Sequence, residues 1–150
     1  MQIHKDLLNE LKPDHIFCAG DLTDPHGTHR KCLEGLIMAI NVLKQENCEW
    51  LKKCEIWFYR GAWQEWEIER VDLAVTLTQD EIYRKRMSVF QHDTQKDPAP
   101  FYGMDPREFW QRIEQRNSDT GTKYTKLGIV NCPALEVFVN YRSIVNEISF

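Results

Sequence analysis

Ala19-Gly20-Asp21-Leu22-Thr23-Asp24-Pro25-His26-Gly27-Thr28-His29 is the stretch where a hydrophobic strand ends, the chain turns and a helix begins. Upstream, Asp14-His15-Ile16-Phe17-Cys18 is a short apolar run, which predicts a strand buried on both faces. Downstream, Leu33, Leu36, Ile37, Ile40 and Leu43 recur at helical spacing. Asp24 suits the N-cap and Pro25 the first helical position, so the helix is expected from there to about Gln45. In open α/β sheets ligands bind in the crevice beyond the carboxyl ends of the strands, which is where this turn falls.

Working outward, Ile3, Leu7, Leu8 and Leu11 form one apolar stripe before Pro13, which predicts a helix over residues 2 to 12. A helix feeding straight into a central strand suggests a chain cut from something longer. Glu55-Ile56-Trp57-Phe58-Tyr59-Arg60 predicts a second strand, and Val71-Asp72-Leu73-Ala74-Val75-Thr76-Leu77 a third, looser one. Thr78-Gln79-Asp80-Glu81 has the form of a capping box and opens a helix ending near His92. The prolines and glycine between residues 94 and 106 mark a surface loop. Asp105-Pro106-Arg107-Glu108 repeats the start signal for a helix carrying Phe109, Trp110, Ile113, Asn117, Thr120, Tyr124 and Leu127 on one face, with Gly121 weakening its middle. Leu135-Glu136-Val137-Phe138-Val139 predicts a last strand. Strands alternating with helices give an α/β class with a mostly parallel sheet flanked by helices.

The 150 residues suit about one domain with a core of its own. With 42% hydrophobic and 28% charged residues, and no long apolar run, a soluble protein without a membrane span is expected. The amino terminus lacks the pattern of a secretory signal. Five cysteines, with no C-x-x-C pair, favour reduced thiols in a cytoplasmic protein over a disulfide framework. A net charge of -4 gives no basic footprint, so nucleic acid is not an expected partner.

Of the chemistry-bearing residues, His26 and His29 stand first, because three-residue spacing on a helix puts both imidazoles on one face. His29 lies one turn before Leu33 on the inward stripe, from where it could ligate a metal while His26 moves a proton. The alternative is two partly exposed loop histidines serving as caps or hydrogen-bond donors. His92 and Gln95, beside the proline-rich loop, could reach a ligand or be ordinary helix-end polar groups. Trp63 and Trp66 could stack on a sugar or anchor their loop, and Arg84-Lys85-Arg86 could meet a phosphate or form a solvated helix face. No G-x-G-x-x-G, P-loop or G-x-S-x-G occurs.

Four ordered segments carry a resemblance: residues 19–29; Tyr59-Arg60-Gly61-Ala62-Trp63-Gln64-Glu65-Trp66; Arg84-Lys85-Arg86 with Gln91-His92-Asp93-Thr94-Gln95-Lys96-Asp97; and Arg107-Glu108-Phe109-Trp110-Gln111-Arg112. Together they resemble the carboxy-terminal domain of the long bacterial glucosamine-6-phosphate deaminase-like proteins. That domain is similar to the LmbE-like, N-acetylglucosaminyl-phosphatidylinositol de-N-acetylase superfamily. The resemblance implies a Rossmann-like fold and a zinc ion that activates water to hydrolyse the acetamide of an N-acetylated sugar. It implies that His29 is a zinc ligand, and that His26 stabilises the oxyanion or protonates the leaving amine. It puts Asp24, His92 and Gln95 near the amino-sugar substrate. The family's remaining ligands and its general base come from a His-Pro-Asp-Asp segment that these residues do not contain.

Residues 1–150 are therefore expected to be the carboxy-terminal part of one such domain, truncated on its N-terminal side. Two readings follow from this. One is part of a zinc amidohydrolase for an amino or N-acetylated sugar, inactive alone. The other is a non-catalytic binding or regulatory module of a glucosamine-6-phosphate isomerase or deaminase. A sheet lacking its first strands would expose unpaired backbone, so homo-oligomers through that edge are expected.

Overall fold

The computed structural model describes residues 2–20, 27–62, 64–93 and 106–145. Its elements in chain order are α1 (Gln2–Leu11), β1 (His15–Ala19), α2 (Thr28–Gln45), α3 (Glu49–Lys53), β2 (Glu55–Tyr59), β3 (Leu73–Leu77), α4 (Gln79–Phe90), α5 (Phe109–Lys126), β4 (Ala134–Asn140) and α6 (Tyr141–Ile144). The α/β class expected from the sequence is what the chain adopts, a four-stranded sheet flanked by helices with strand order β1-β2-β4-β3. The chain divides into two compact units, one of residues 1–59 with 138–150 and the other of residues 60–137.

In the first unit β1 and β2 run parallel, with Ala19 opposite Tyr59, and α2 and α3 form the crossover between them. The regular stripe of α2 buries Leu33, Leu36, Ile37, Ile40 and Leu43 as its spacing predicts. With Phe58 and Val139 they make the apolar centre of this unit, each fully buried side chain contributing about 1.5–3 kcal/mol. The carboxyl half of β4 runs antiparallel to β2, Trp57 opposite Asn140 and Phe58 opposite Val139.

Three sequence expectations need correcting here. The sheet is mostly antiparallel, with β1–β2 the parallel pair. The reason is parity: β3 is followed by two helices in succession, and a second traverse returns the chain on a reversed course. The strand expected to be buried on both faces is the terminal strand of the sheet, and Phe17 in it is 55% exposed. An end strand has a neighbour on one side alone, so a large side chain such as Phe17 keeps solvent on the open flank that no described element covers. Finally, α1 forms but buries Leu8 alone of its apolar stripe, leaving Ile3, Leu7 and Leu11 exposed.

In the second unit Thr78 and Glu81 make the predicted capping box, Glu81 N–H donating to Thr78 Oγ1 at 3.3 Å and Thr78 N–H to Glu81 Oε2 at 2.8 Å. These bonds hold the exposed Glu81 carboxyl below its ordinary range. The start of α5 is capped three residues later than Asp105, at Glu108, whose N–H donates to Gln111 Oε1 at 2.8 Å. Gly121 is not a weakness in that helix. A Cβ there would stand 2.9 Å from Ala134 Cα, so the absent side chain is what lets α5 lie directly on β4.

Candidate functional site

The carboxyl ends of the parallel pair lie side by side, tied by Gly20 N–H donating to Tyr59 O at 2.8 Å. Gly20, the last described residue before the histidine-rich segment, therefore stands where α/β folds bind ligands. The chain re-enters regular structure at Gly27, whose φ of 68° is a left-handed conformation that glycine adopts without strain. Gly27 O accepts from Lys31 N–H at 3.0 Å, and α2 begins at Thr28. The helix expected from Asp24 and Pro25, carrying His26 and His29 on one face, thus begins later, at Thr28, because the left-handed Gly27 interrupts it; Asp24, Pro25 and His26 themselves lie outside the described residues.

His29 sits in the first turn of α2 and is exposed. The inward stripe on which the sequence places it becomes buried one turn later, at Leu33. His92 is exposed just beyond α4, with its N–H donating to Val89 O at 3.0 Å. His29 belongs to the first unit and His92 to the second. His26, Asp24 and Gln95 are outside the described residues. Among the described residues no group of three or more His, Cys, Asp or Glu side chains is placed to hold a metal ion. A catalytic zinc needs three protein ligands and one open position, so His29 with its described neighbours does not fit such an ion.

The described cysteines are free thiols, with Cys32 exposed and Cys54 buried. Burial pushes the Cys18 thiol up to about 11 and that of Cys54 up as well, which leaves both poor nucleophiles.

Sequence reading missed the polar cluster in the second unit. Glu136 on β4 receives Arg116 Nη2 at 2.5 Å through one oxygen, and Lys85 Nζ and Asn117 Nδ2 through the other, the latter at 3.0 Å. Asn117 is 2% exposed and also donates to Leu135 O at 2.7 Å. Arg116 Nη1 donates to the carbonyls of Arg60 and Gly61, which fixes the strand-to-loop exit after β2. Glu65 accepts from Trp66 N–H at 3.0 Å and from Thr120 Oγ1 at 3.4 Å.

Burial pushes the Glu136 carboxyl up, but Arg116 and Lys85 outweigh it and hold the group below its ordinary range. At Glu65 burial outweighs Arg116, and the carboxyl is raised. Burial likewise lowers the Lys85 ammonium despite Glu136. The run Arg84-Lys85-Arg86 is thus not a solvated face throughout. Lys85 is bound to Glu136, and Arg86 makes a paired contact with Glu114 at 2.8 and 2.6 Å while lying over the Trp110 ring. The available signal was Glu136 itself, a carboxylate inside an apolar strand that requires cations nearby.

No family model matches the chain, and no solved structure matches it. The chain is 50% identical over 141 residues to a glucosamine-6-phosphate deaminase-like protein of Bacteroides thetaiotaomicron. That similarity covers 94% of this chain but spans 21% of the relative's length.

Proposed function

We propose that this chain is the carboxy-terminal part of a de-N-acetylase-like α/β domain within a longer amino-sugar protein. In this reading it contributes His26 and His29 to an amide-hydrolysing site that it does not complete alone. The observation that carries the reading is the 50% identity running through almost the whole chain while spanning 21% of a protein whose name is glucosamine-6-phosphate deaminase-like. The described ends of the histidine-rich segment, Gly20 at the carboxyl end of β1 beside Tyr59 and Gly27 at the start of α2, support it. Zinc belongs to the proposal as the ion of the complete domain, with His29 as one ligand and the others on sequence these residues do not contain.

The test is acetate release from N-acetylglucosamine 6-phosphate by the chain extended at its amino terminus with the corresponding sequence of the Bacteroides relative. The extended protein is expected to release acetate, the 150-residue chain alone to release none, and His26→Ala in the extended protein to lose most of the rate. An extended, folded protein that releases no acetate contradicts the reading. The exposure of His29 favours a second reading, a binding or regulatory module whose histidines do no chemistry. That outcome follows if the extended protein binds the sugar phosphate without turning it over.

The proposal also includes self-association along β1, whose outer edge has no described strand beside it and whose Phe17 is 55% exposed. Size-exclusion chromatography should show a mass that rises with concentration. A strict monomer at all concentrations contradicts this part.

A further inference from the structure

In the first unit a concavity of about 360 Å³ lies among the end of α2, α3 and α6, lined by Lys44, Asn47, Cys48, Leu51, Lys52 and Arg142. Its charged residues are all cations, in a chain of net charge -4, and no carboxylate is among the described residues that line it. The local chain brings two of them together. Asn47 takes a left-handed conformation, φ 55°, which asparagine tolerates better than most residues, and its N–H donates to Lys44 O at 3.0 Å. Cys48 N–H then donates to Leu43 O at 3.1 Å, so α2 ends in a sharp reversal and α3 starts beside its last turn.

The third cation comes from far along the sequence and is held at one end. Asn140 caps α6 by accepting from Arg142 N–H at 2.9 Å, and its Nδ2 donates to Glu55 Oε2 at 2.8 Å. The other oxygen of Glu55 stands 3.1 Å from Arg142 Nη2, which also donates to Lys52 O at 3.4 Å. Nε and Nη1 of Arg142 have no acceptor among the described residues. Lys44 is placed by a neutral group: its Nζ donates to Tyr141 Oη at 3.3 Å and lies 4.6 Å from the centroid of that buried ring. No carboxylate among the described residues pairs with it. Lys52 does pair with Glu49, at 2.5 Å, but the two side chains are 64% and 80% exposed, and so open a pair is displaced at little cost.

We propose that this concavity binds a diphosphate group, free or carried by a nucleoside. Arg142 supplies donors at Nε and Nη1 that no described group uses, and Lys44 and Lys52 supply charge from the opposite elements. A phosphate monoester carries a charge of about -1.5 to -2 at neutral pH and leaves part of three cations uncompensated, an excess that a second phosphoryl group removes. The volume falls in the range of about 300–1,000 Å³ found for small-molecule sites, more than a lone phosphate fills. Leu51 and Cys48 give an apolar wall, and the Asn47 amide a donor and an acceptor, for a nucleoside to lie against. The site uses none of the histidines and does not depend on the amide-hydrolysis reading.

Calorimetry on the 150-residue chain, without divalent cations and at about 0.15 M ionic strength, tests it with four probes: pyrophosphate, adenosine diphosphate, inorganic phosphate and citrate. Pyrophosphate should bind at least about tenfold tighter than inorganic phosphate or citrate. Still tighter binding of adenosine diphosphate assigns the Leu51 wall to a nucleoside, whereas equal or weaker binding assigns the site to the free ion; both results support the proposal. Lys44→Met, Lys52→Gln and Arg142→Gln should each weaken pyrophosphate by about tenfold or more. Lys53→Gln removes the same charge outside the lining and should leave affinity nearly unchanged. All four positions are exposed, so circular dichroism should show the fold retained in every variant. The proposal is overturned if pyrophosphate gives no binding at about 1 mM, or if inorganic phosphate or citrate binds as tightly. It is equally overturned if the lining variants bind as the unaltered chain does, or if Lys53→Gln weakens binding as much as they do.

Discussion

In the first unit the most deeply buried side chains, Leu33, Ile40, Leu43, Phe58 and Val139, are apolar and at most 1% exposed. In the second, α5 buries Arg112, Asn117 and Thr120 at 2–4% exposure, and places Arg116 against Glu136 and Glu65. The first unit is held by non-directional burial, which tolerates changes that conserve volume. The second also buries apolar Ala134, Leu135 and Val137, but it adds charges that depend on partners being present, so deleting one partner should cost more than the pair contributes. Candidate chemistry follows the same division: His29, at the start of α2, belongs to the first unit, and the Lys85–Arg116–Glu136 cluster to the second.

The largest expected effect comes from breaking the charge cluster. Glu136→Ala leaves Arg116 and Lys85 facing one another without their shared carboxylate, and should lower unfolding free energy by about 3–5 kcal/mol in urea titration. A loss below about 1 kcal/mol would mean that the cluster is solvated and the contrast between the units is false. In the apolar unit, Ile40→Ala should cost about 2–5 kcal/mol, whereas Ile40→Val should cost about 0.5–1.5 kcal/mol by the same measurement. Gly121→Ala forces a Cβ onto the Ala134 backbone and should cost about 1–3 kcal/mol, the reverse of the usual gain from replacing a helical glycine.

The two units also differ in how far their sequence reveals them. The period of Leu33, Leu36, Ile37, Ile40 and Leu43 and the apolar run at residues 55–60 announce α2 and β2, because burial imprints directly on hydrophobic spacing. Capping chemistry located the start of α4 to the residue. Strand direction was less legible, although two helices in succession before residue 134 already implied a reversal. The status of β1 as the terminal strand was not legible, since a five-residue apolar run reads the same at the edge as at the centre. The charge cluster was only half legible: Glu136 inside an apolar run calls for cations nearby, but Lys85 and Arg116 are far from it in sequence and local patterning does not single them out. Of the candidate site, His29 and His92 are among the described residues while Asp24, His26 and Gln95 lie outside them, so the resemblance, and not the geometry, supplies their roles.

A subtler effect should appear in acid. Glu136 has its folded-state pKa lowered, so its contribution is fully present above the unfolded value of about 4.3 and is lost as pH falls through the folded one. Glu65 has its folded-state pKa raised, so its contribution has the opposite sign: it is present below the unfolded value and lost as pH rises through the folded one. Stability measured from pH 6 down to about pH 3 should therefore fall less steeply in Glu136→Gln and more steeply in Glu65→Gln than in the unaltered chain. Equal slopes in all three would show that neither carboxylate senses the cluster.

The central claim, that the histidine turn is one wall of a metal site completed by sequence beyond these residues, is tested most directly by zinc calorimetry on two proteins. The first is the 150-residue chain and the second is the chain extended at its amino terminus from the Bacteroides relative. The account predicts weak or no binding by the first, binding at least about tenfold tighter by the second, and loss of that gain in His29→Ala. Equal affinity in the two proteins, or an unchanged affinity in His29→Ala of the extended protein, would contradict it.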